Sequence, residues 1–359
     1  VEDKIRTVIV DDSAFVRFSL TQLLSRDGGI ELVGTAANGE DAITLVKELR
    51  PDVVTMDIEM PKLDGLSALE RIMKECPTPV IMLSSLTGRG TEATLRALEL
   101  GTVDFFMKPS VTSPSGDAAG TSDLLNTIRA ASKVRLNRGG NRPALGNDAS
   151  GVTVRAEKTV AGNGIPGKAV IIGSSTGGPR ALYQLVPQLP AFLPATVLIV
   201  QHMPAGFTKP LADRQNSKSL ISVKEAESGD RLEKGKAYLA PGGYHMVINK
   251  DMVVRLVKSP PVCNVRPSVN VTMESVARVF GAGTTGVVLT GMGNDGTDGS
   301  AIIREVGGMV VAENESTALI YGMPKAVVDA GYADRILPLY KIAAAIVEIL
   351  NSKLEVCKL

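Results

Sequence analysis

The chain has 359 residues, too many for one typical hydrophobic core, and 44% of them are apolar, so two ordinary globular domains are expected. Its 39 basic and 38 acidic residues leave a net charge of +1, which excludes a global field that would draw it to nucleic acid or a membrane surface. Cys76, Cys263 and Cys357 lack metal-ligand spacing and read as reduced thiols of a cytoplasmic protein, no apolar run approaches the roughly 20 residues of a membrane span, and Val1-Glu2-Asp3-Lys4 has no signal-peptide layout.

From the start of the chain, Thr7-Val8-Ile9-Val10 predicts a strand ending in Asp11-Asp12, followed by helical spacing through Phe15, Phe18, Leu20 and Leu23-Leu24. A second strand is predicted over 30–34 and a second helix over 39–49. Residues 51–56 predict a third strand ending in Asp57, 79–83 a fourth ending in Ser84-Ser85, and 103–107 a fifth ending in Lys108-Pro109. Residues 110–123 read as a loop and Leu124 to Leu136 as a closing helix. Strands alternating with helices predict a parallel sheet covered on both faces, whose site lies beyond the carboxyl ends of the strands. Those ends carry Asp11, Asp12, Asp57, Ser84 and Lys108. Crowded carboxylates repel unless a cation joins them, and a few hard oxygen ligands suit Mg²⁺. A carboxylate beside Mg²⁺ and a lysine can attack a phosphoryl group, because both cations neutralise charge on the transferring oxygens. A lone Asp after a strand would be a helix cap or a solvated turn, but suitable groups at four strand ends argue for a site.

Residues 5 to 136 resemble a response-regulator receiver domain, with the flavodoxin-like fold that this implies. The resemblance implies phosphorylation on Asp57 by a histidine kinase, with Mg²⁺ held by Asp12, Asp57 and the backbone carbonyl of Glu59 and with Asp11 acting mainly through water. It also implies that Ser84 hydrogen-bonds the phosphoryl group, that Lys108 pairs with it, that Phe105 is the switch aromatic and that Lys108-Pro109 is a candidate cis peptide.

Residues 137–167 are poor in large apolar side chains and contain Gly139-Gly140 and Gly162-Asn163-Gly164, which predicts a flexible linker. The basic cluster Arg129, Lys133, Arg135, Arg138 and Arg142 has no interleaved aromatics and reads as a solvated helix face running into that linker, not a nucleic-acid arm.

Beyond residue 168, Ala169-Val170-Ile171-Ile172 runs into Gly173-Ser174-Ser175-Thr176-Gly177-Gly178-Pro179, which predicts a buried strand, a tight turn and a helix. The turn fits a G-x-S-x-G nucleophile elbow with Ser175 at its apex; a plain strand-to-helix turn or a phosphate cradle would use similar residues. Residues 195–200 predict a strand ending in Gln201-His202. Short strands are expected near 221–223, 237–239 and 246–248, the last paired with 252–256 as a hairpin. Val269 to Phe280 predicts a helix, 286–290 a strand leading into Gly291-Met292-Gly293-Asn294-Asp295-Gly296, 308–312 another strand, and 340–354 a final helix.

Ser175, His202 and Asp295 thus follow apolar strands on one edge of a sheet. A serine hydroxyl needs a base within reach, and the base needs a carboxylate to fix its tautomer. Only His202 and His245 are available, and His245, which follows Pro241-Gly242-Gly243, reads as a structural or rim residue. The order Ser, His, Asp departs from the α/β-hydrolase order Ser, Asp, His. The N–H groups of Thr176 and Met292 are candidate oxyanion donors, unless the surrounding glycines serve only close packing.

Gly173-Ser174-Ser175-Thr176-Gly177-Gly178, Gln201-His202-Met203-Pro204, Arg266-Pro267-Ser268-Val269 and Leu289-Thr290-Gly291-Met292-Gly293-Asn294-Asp295-Gly296 resemble the catalytic domain of the chemotaxis protein-glutamate methylesterase (CheB) family. The resemblance implies a cytoplasmic, receiver-regulated hydrolase that removes methyl esters from chemoreceptor glutamates, with deamidation of receptor glutamines in many members. It implies the triad Ser175, His202 and Asp295, an oxyanion role for Met292, support of the histidine by Thr176 and no cofactor for the ester chemistry. The implied partners are methylated chemoreceptor helices and the chemotaxis histidine kinase CheA, with no nucleic acid and no membrane insertion. Cys263-Asn264-Val265 stands where family members carry a more basic run.

The expected architecture is therefore α/β, with two doubly wound parallel-sheet domains, the second containing an antiparallel hairpin region. The boundaries expected are a receiver over 1–136, a linker over 137–167 and a catalytic domain over 168–359. Two other readings are weaker. A nucleotide-binding module using the 173–178 loop lacks the G-x-G-x-x-G and Walker A spacings, and a DNA-binding output lacks a basic second domain.

Overall fold

The computed structural model describes residues 4–84, 88–108, 118–134 and 164–352, and the chain divides into two compact units, Val1–Thr153 and Val154–Leu359. Most of the predicted linker, and Pro109 of the expected cis peptide, lie outside the described residues. The cis peptide among the described residues is Arg266-Pro267.

The first unit runs β1 (Ile5–Val10), α1 (Ala14–Ser25), β2 (Ile30–Ala36), α2 (Gly39–Leu49), β3 (Val53–Asp57), α3 (Gly65–Glu75), β4 (Val80–Ser84), α4 (Gly88–Leu100), β5 (Asp104–Met107) and α5 (Ala118–Ser132). Its strands form one parallel sheet in the order β2-β1-β3-β4-β5. Local chemistry starts the helices where the chain leaves the sheet. The side chains of Ser13, Asn38 and Asp64 accept hydrogen bonds from the first-turn N–H groups of α1, α2 and α3. β3 and β4 are buried along their whole length, as strands covered on both faces must be.

Two expectations need correction here. α5 begins at Ala118, inside the stretch read as a loop, and ends at Ser132, before Leu136. Ala118-Ala119 favours helix without offering an apolar stripe, so periodicity missed the first turns. On α1, Leu20 and Leu24 face the core, whereas Phe15 and Phe18 are exposed by 57% and 63%.

The second unit runs β6 (Ala169–Ser174), α6 (Gly178–Leu185), β7 (Thr196–Gln201), α7 (Thr208–Lys218), β8 (Ser222–Glu225), β9 (Lys236–Leu239), β10 (His245–Ile248), β11 (Val254–Val257), α8 (Val269–Phe280), β12 (Thr284–Val288), α9 (Thr297–Glu305), β13 (Met309–Glu313), α10 (Met323–Asp329), β14 (Arg335–Leu337) and α11 (Leu339–Asn351). Seven strands form a parallel sheet in the order β14-β13-β12-β6-β7-β9-β8, and β10 and β11 form a separate antiparallel pair. The expected hairpin is β10 with β11, while the short strands β8 and β9 extend the parallel sheet. α7 escaped the sequence because its face is mostly polar, with Leu211 and Ala212 as its buried apolar contacts. β6, β7 and β12 are wholly buried at the centre, and α8 packs Val269, Met273, Val276 and Ala277 into the same core as Ile171, Leu198 and Val288. Each such aliphatic side chain removed from water contributes about 1.5–3 kcal/mol.

Candidate active site

In the first sheet, β1 and β3 are neighbours at the point where strand order reverses, which is where doubly wound sheets open a crevice. Asp11 and Asp12 follow β1, and Asp57 ends β3. One oxygen from each lies within 4.8 Å of the others. Asp11 is fully buried, Asp57 is nearly so and Asp12 is exposed. Lys108 enters from the end of β5, with its Nζ 2.8 Å from Asp11 Oδ2 and 2.7 Å from Asp57 Oδ2. Burial dominates at Asp57 and pushes its carboxyl above the ordinary value; Lys108 opposes the rise and the charge on Asp11 adds to it. At Lys108 burial works the other way, but the two carboxylates outweigh it and keep the ammonium charged.

One lysine leaves this trio of carboxylates under-compensated. The donor set therefore fits a hard divalent cation such as Mg²⁺. Ser84 ends β4, buried, and its hydroxyl accepts from Thr94 Oγ1 at 3.0 Å. Phe105 is half-buried against the core of this unit, and Glu59 is exposed beside a cleft lined by Asp64 and Arg96.

In the second sheet the reversal falls at β6. The chain adds β7, β9 and β8 on one side of it and β12 to β14 on the other. Ser175 leaves the end of β6 half-buried, and its backbone is held from three directions. Its N–H donates to Thr290 O at 3.0 Å, and its carbonyl accepts from Gly178 N at 2.7 Å and from Gln201 Nε2 at 2.9 Å. The same Gln201 amide donates to His202 O at 3.0 Å and accepts from Ser174 Oγ at 2.7 Å, so one side chain ties the serine turn to the histidine turn. Two glycines permit this closeness. A Cβ on Gly178 would collide with Gln201 Oε1, and a Cβ on Gly291 would lie 2.8 Å from Ser175 Cβ and strike Met323 Sδ.

His202 and Asp295 are brought together, with Nε2 2.8 Å from Asp295 Oδ2. The carboxylate is 2% exposed and sits on the N-terminus of α8. Ser268 Oγ donates to Oδ1 at 2.8 Å, Val269 N to Oδ2 at 2.6 Å and Asn270 N to Oδ1 at 3.0 Å. Burial is the largest influence and pushes the carboxyl up, but His202 and the backbone N–H groups together overcome it, so Asp295 lies below its ordinary value. With Nε2 engaged by Asp295, Nδ1 is the ring nitrogen without a hydrogen bond among the described residues. Ser175 Oγ has no hydrogen bond among the described residues. The N–H groups of Thr176 and Met292 are likewise without partners among the described residues.

A CheB methylesterase family model matches residues 170–346, and a response regulator receiver domain model matches residues 7–114. A protein of Symbiobacterium thermophilum named protein-glutamate methylesterase/protein-glutamine glutaminase is 47% identical over 351 residues, covering 96% of this chain and 97% of the relative. The chain belongs to the CheB methylesterase family. A second relative of the same name, from Archaeoglobus fulgidus, is 42% identical over 98% of this chain and 99% of its own length. The crystal structure of the Thermotoga maritima CheB methylesterase catalytic domain, 46% identical, superposes with a TM-score of 0.50 and covers 52% of this chain and 100% of that one. This CheB-family chain is therefore a hydrolase carrying a receiver domain, and no helix among its described residues is long and apolar enough to cross a membrane.

Other residues expected at the CheB-type site take definite places. Thr176 engages through its carbonyl, which accepts from Thr290 Oγ1 at 2.9 Å, and its hydroxyl makes no bond to His202. His245 is fully buried, accepting Ser268 N at Nδ1 and facing Pro260 O with Nε2, both at 3.1 Å, which ties the ring to the residue preceding the helix that holds Asp295. Cys263 and Asn264 form a tight two-residue hairpin with φ of 51° and 62°, and Cys263 Sγ accepts from Asn270 Nδ2 at 3.7 Å. Burial, then the charges of Asp295 and Asp298, push that thiol up and keep it protonated. The sequence motifs contain Gln201, Ser268 and Thr290 without giving them a role, and Asn270 and Glu313 stand outside those motifs. The signal available was a polar residue closing an otherwise apolar strand, as at Gln201 and Glu313.

Proposed function

We propose that the chain hydrolyses methyl esters of glutamate side chains on chemoreceptor helices, releasing methanol, and that it also deamidates receptor glutamines. Ser175 Oγ attacks the ester carbonyl while His202 Nδ1 takes its proton. The tetrahedral oxyanion is received by the N–H groups of Thr176 and Met292. The C–O bond to methanol then breaks as His202 returns the proton to the leaving oxygen. Water, activated by the same nitrogen, attacks the acyl-enzyme and frees glutamate and the serine hydroxyl. The observation that carries this reading is the seating of Asp295. A carboxylate held by three protein donors at a helix N-terminus stays ionised, fixes His202 and stabilises the imidazolium that forms on attack.

Control rests on Asp57 as phosphoacceptor, with the chemotaxis histidine kinase CheA as donor in the cytoplasm. Asp12, Asp57 and the Glu59 carbonyl would hold Mg²⁺, with Asp11 beside them, and the cation supplies charge neutralisation for phosphoryl transfer. Lys108 steadies the charge on Asp57, Ser84 offers a hydroxyl to the phosphoryl oxygens, and Phe105 reports the change. Phosphorylation favours the more active of two states of the full chain, with domains over 1–136 and 168–359 joined by a linker over 137–167. The test is methanol release from a methylated receptor fragment by the intact chain, with and without a small-molecule phosphodonor. Release that rises with phosphodonor and disappears in Ser175→Ala supports the proposal; release untouched by the substitution sinks the nucleophile, and release indifferent to phosphodonor sinks the gating.

A further inference from the structure

β13 closes with Glu313, an acid with no exposed surface at the end of Met309-Val310-Val311-Ala312. Its Oε2 accepts the buried N–H of Thr290 at 2.8 Å. Its Oε1 has no hydrogen bond: Thr317 faces the carboxyl, but its hydroxyl donates to Asn314 O at 3.5 Å while accepting from Leu339 N at 2.9 Å. Thr290 is a junction. Its carbonyl receives Ser175 N at 3.0 Å, and its hydroxyl donates to Thr176 O and accepts from Ile320 N, each at 2.9 Å. The next residue, Gly291, donates to Ile320 O at 3.0 Å and receives Met323 N at 2.8 Å, and Met292 follows it. One buried carboxyl therefore anchors the residue from which both the serine turn and the Met292 loop are hung.

We propose that Glu313 is a positioning residue for ester hydrolysis: by fixing the Thr290 peptide it sets the distance between the Ser175 nucleophile and the Met292 oxyanion donor. The proposal rests on the esterase reading above. A carboxyl without exposed surface, serving one N–H, is a costly way to close a strand unless that N–H must not move. Burial pushes Glu313 above the ordinary carboxylate range, and the Thr290 N–H and Thr317 hydroxyl only partly oppose this. Three ion pairs lie on the elements around β13, Arg304 with Asp334, Lys325 with Asp329 and Arg335 with Glu348, and none of them includes Glu313. What the geometry asks of Glu313 is one side-chain oxygen accepting the Thr290 N–H, and glutamine keeps that oxygen.

The experiment compares wild type, Glu313→Gln and Glu313→Ala in the phosphodonor-activated full chain, measuring kcat and KM for methanol release per titratable serine. The rate at which Ser175 reacts with a fluorophosphonate is measured alongside. Glu313→Ala should lower kcat about 10- to 100-fold, the scale expected for a displacement of up to 1 Å, with KM within about twofold. It should slow labelling of Ser175 in parallel, and Glu313→Gln should restore both. An alanine variant with wild-type kcat per active serine, or a glutamine variant as slow as alanine, overturns the proposal. If Glu313→Ala does not fold, Thr290→Val cuts the same relay at its hydroxyl and must slow labelling. A wild-type chain that labels at Ser175 but releases no methanol overturns the esterase reading alone, because the labelling rates still decide the role of Glu313.

Discussion

The two strand-end sites occupy the same kind of place and are electrically opposite. In the receiver unit, Asp11, Asp12 and Asp57 crowd around one lysine, and Asp57 is pushed up by burial and by its neighbour's charge. In the catalytic unit, Asp295 is as deeply placed but has a helix N-terminus, a hydroxyl and an imidazole around it, and it is pulled down. The first site is short of positive charge and is suited to receive a cation and then a phosphoryl group. The second already holds its compensation before substrate arrives, which is what preorganised electrostatic catalysis requires. A switch-point crevice supplies the location; the donors around each carboxylate decide the chemistry.

Breaking each half in turn tests this contrast. The largest effect is expected at the nucleophile: Ser175→Ala should lower kcat on the order of 10⁴-fold or more, read as methanol release with phosphodonor present. Asp295→Asn should follow, with a fall on the order of 10³- to 10⁴-fold in kcat and little change in KM, because the helix N-terminus still seats the side chain while the imidazolium loses its partner. In the receiver, Asp57→Asn should abolish the increment that a phosphodonor gives, measured as the ratio of rates with and without it.

The smallest effects sharpen the comparison through pH. Asp295 is depressed in the folded chain, so its contribution to stability is present above about pH 4 and is lost as pH falls through the native value. Thermal melts of wild type should therefore drop in acid more steeply than those of Asp295→Asn. Glu313 is raised, so the folded chain holds its proton longer than the unfolded chain. Stability associated with that proton is present below about pH 4.3 and is lost as pH rises toward the native value. Glu313→Gln carries no such loss, and its melting temperature should gain on wild type as pH rises above about 4.3.

Much of this was legible in the sequence, for identifiable reasons. Four or five apolar residues ending in Asp57, in Ser174-Ser175 or in Gln201-His202 announce a buried strand and the group it delivers, and strand alternation with helices gives the parallel sheet. What the sequence concealed were elements and contacts without a periodic signature. α7 is almost wholly polar, β14 has three residues, and the first turns of α5 are small residues. Phe15 and Phe18 satisfied helical spacing but face solvent, since periodicity marks a stripe without saying which stripe is covered. The support around Asp295 joins residues 26 and 27 positions away across a cis-proline segment, and no local pattern encodes that meeting. The imidazole edge facing the carboxylate was equally invisible, because either nitrogen satisfies a Ser-His-Asp order.

The most direct test of the preorganised carboxylate is the rate at which a fluorophosphonate modifies the full chain, located by peptide mass spectrometry in wild type, His202→Ala and Asp295→Asn. Rapid modification on Ser175 is expected in wild type, with slowing by orders of magnitude in both variants while their melting curves remain cooperative. Modification of Ser175 at the same rate in all three, or modification at another serine, would contradict it.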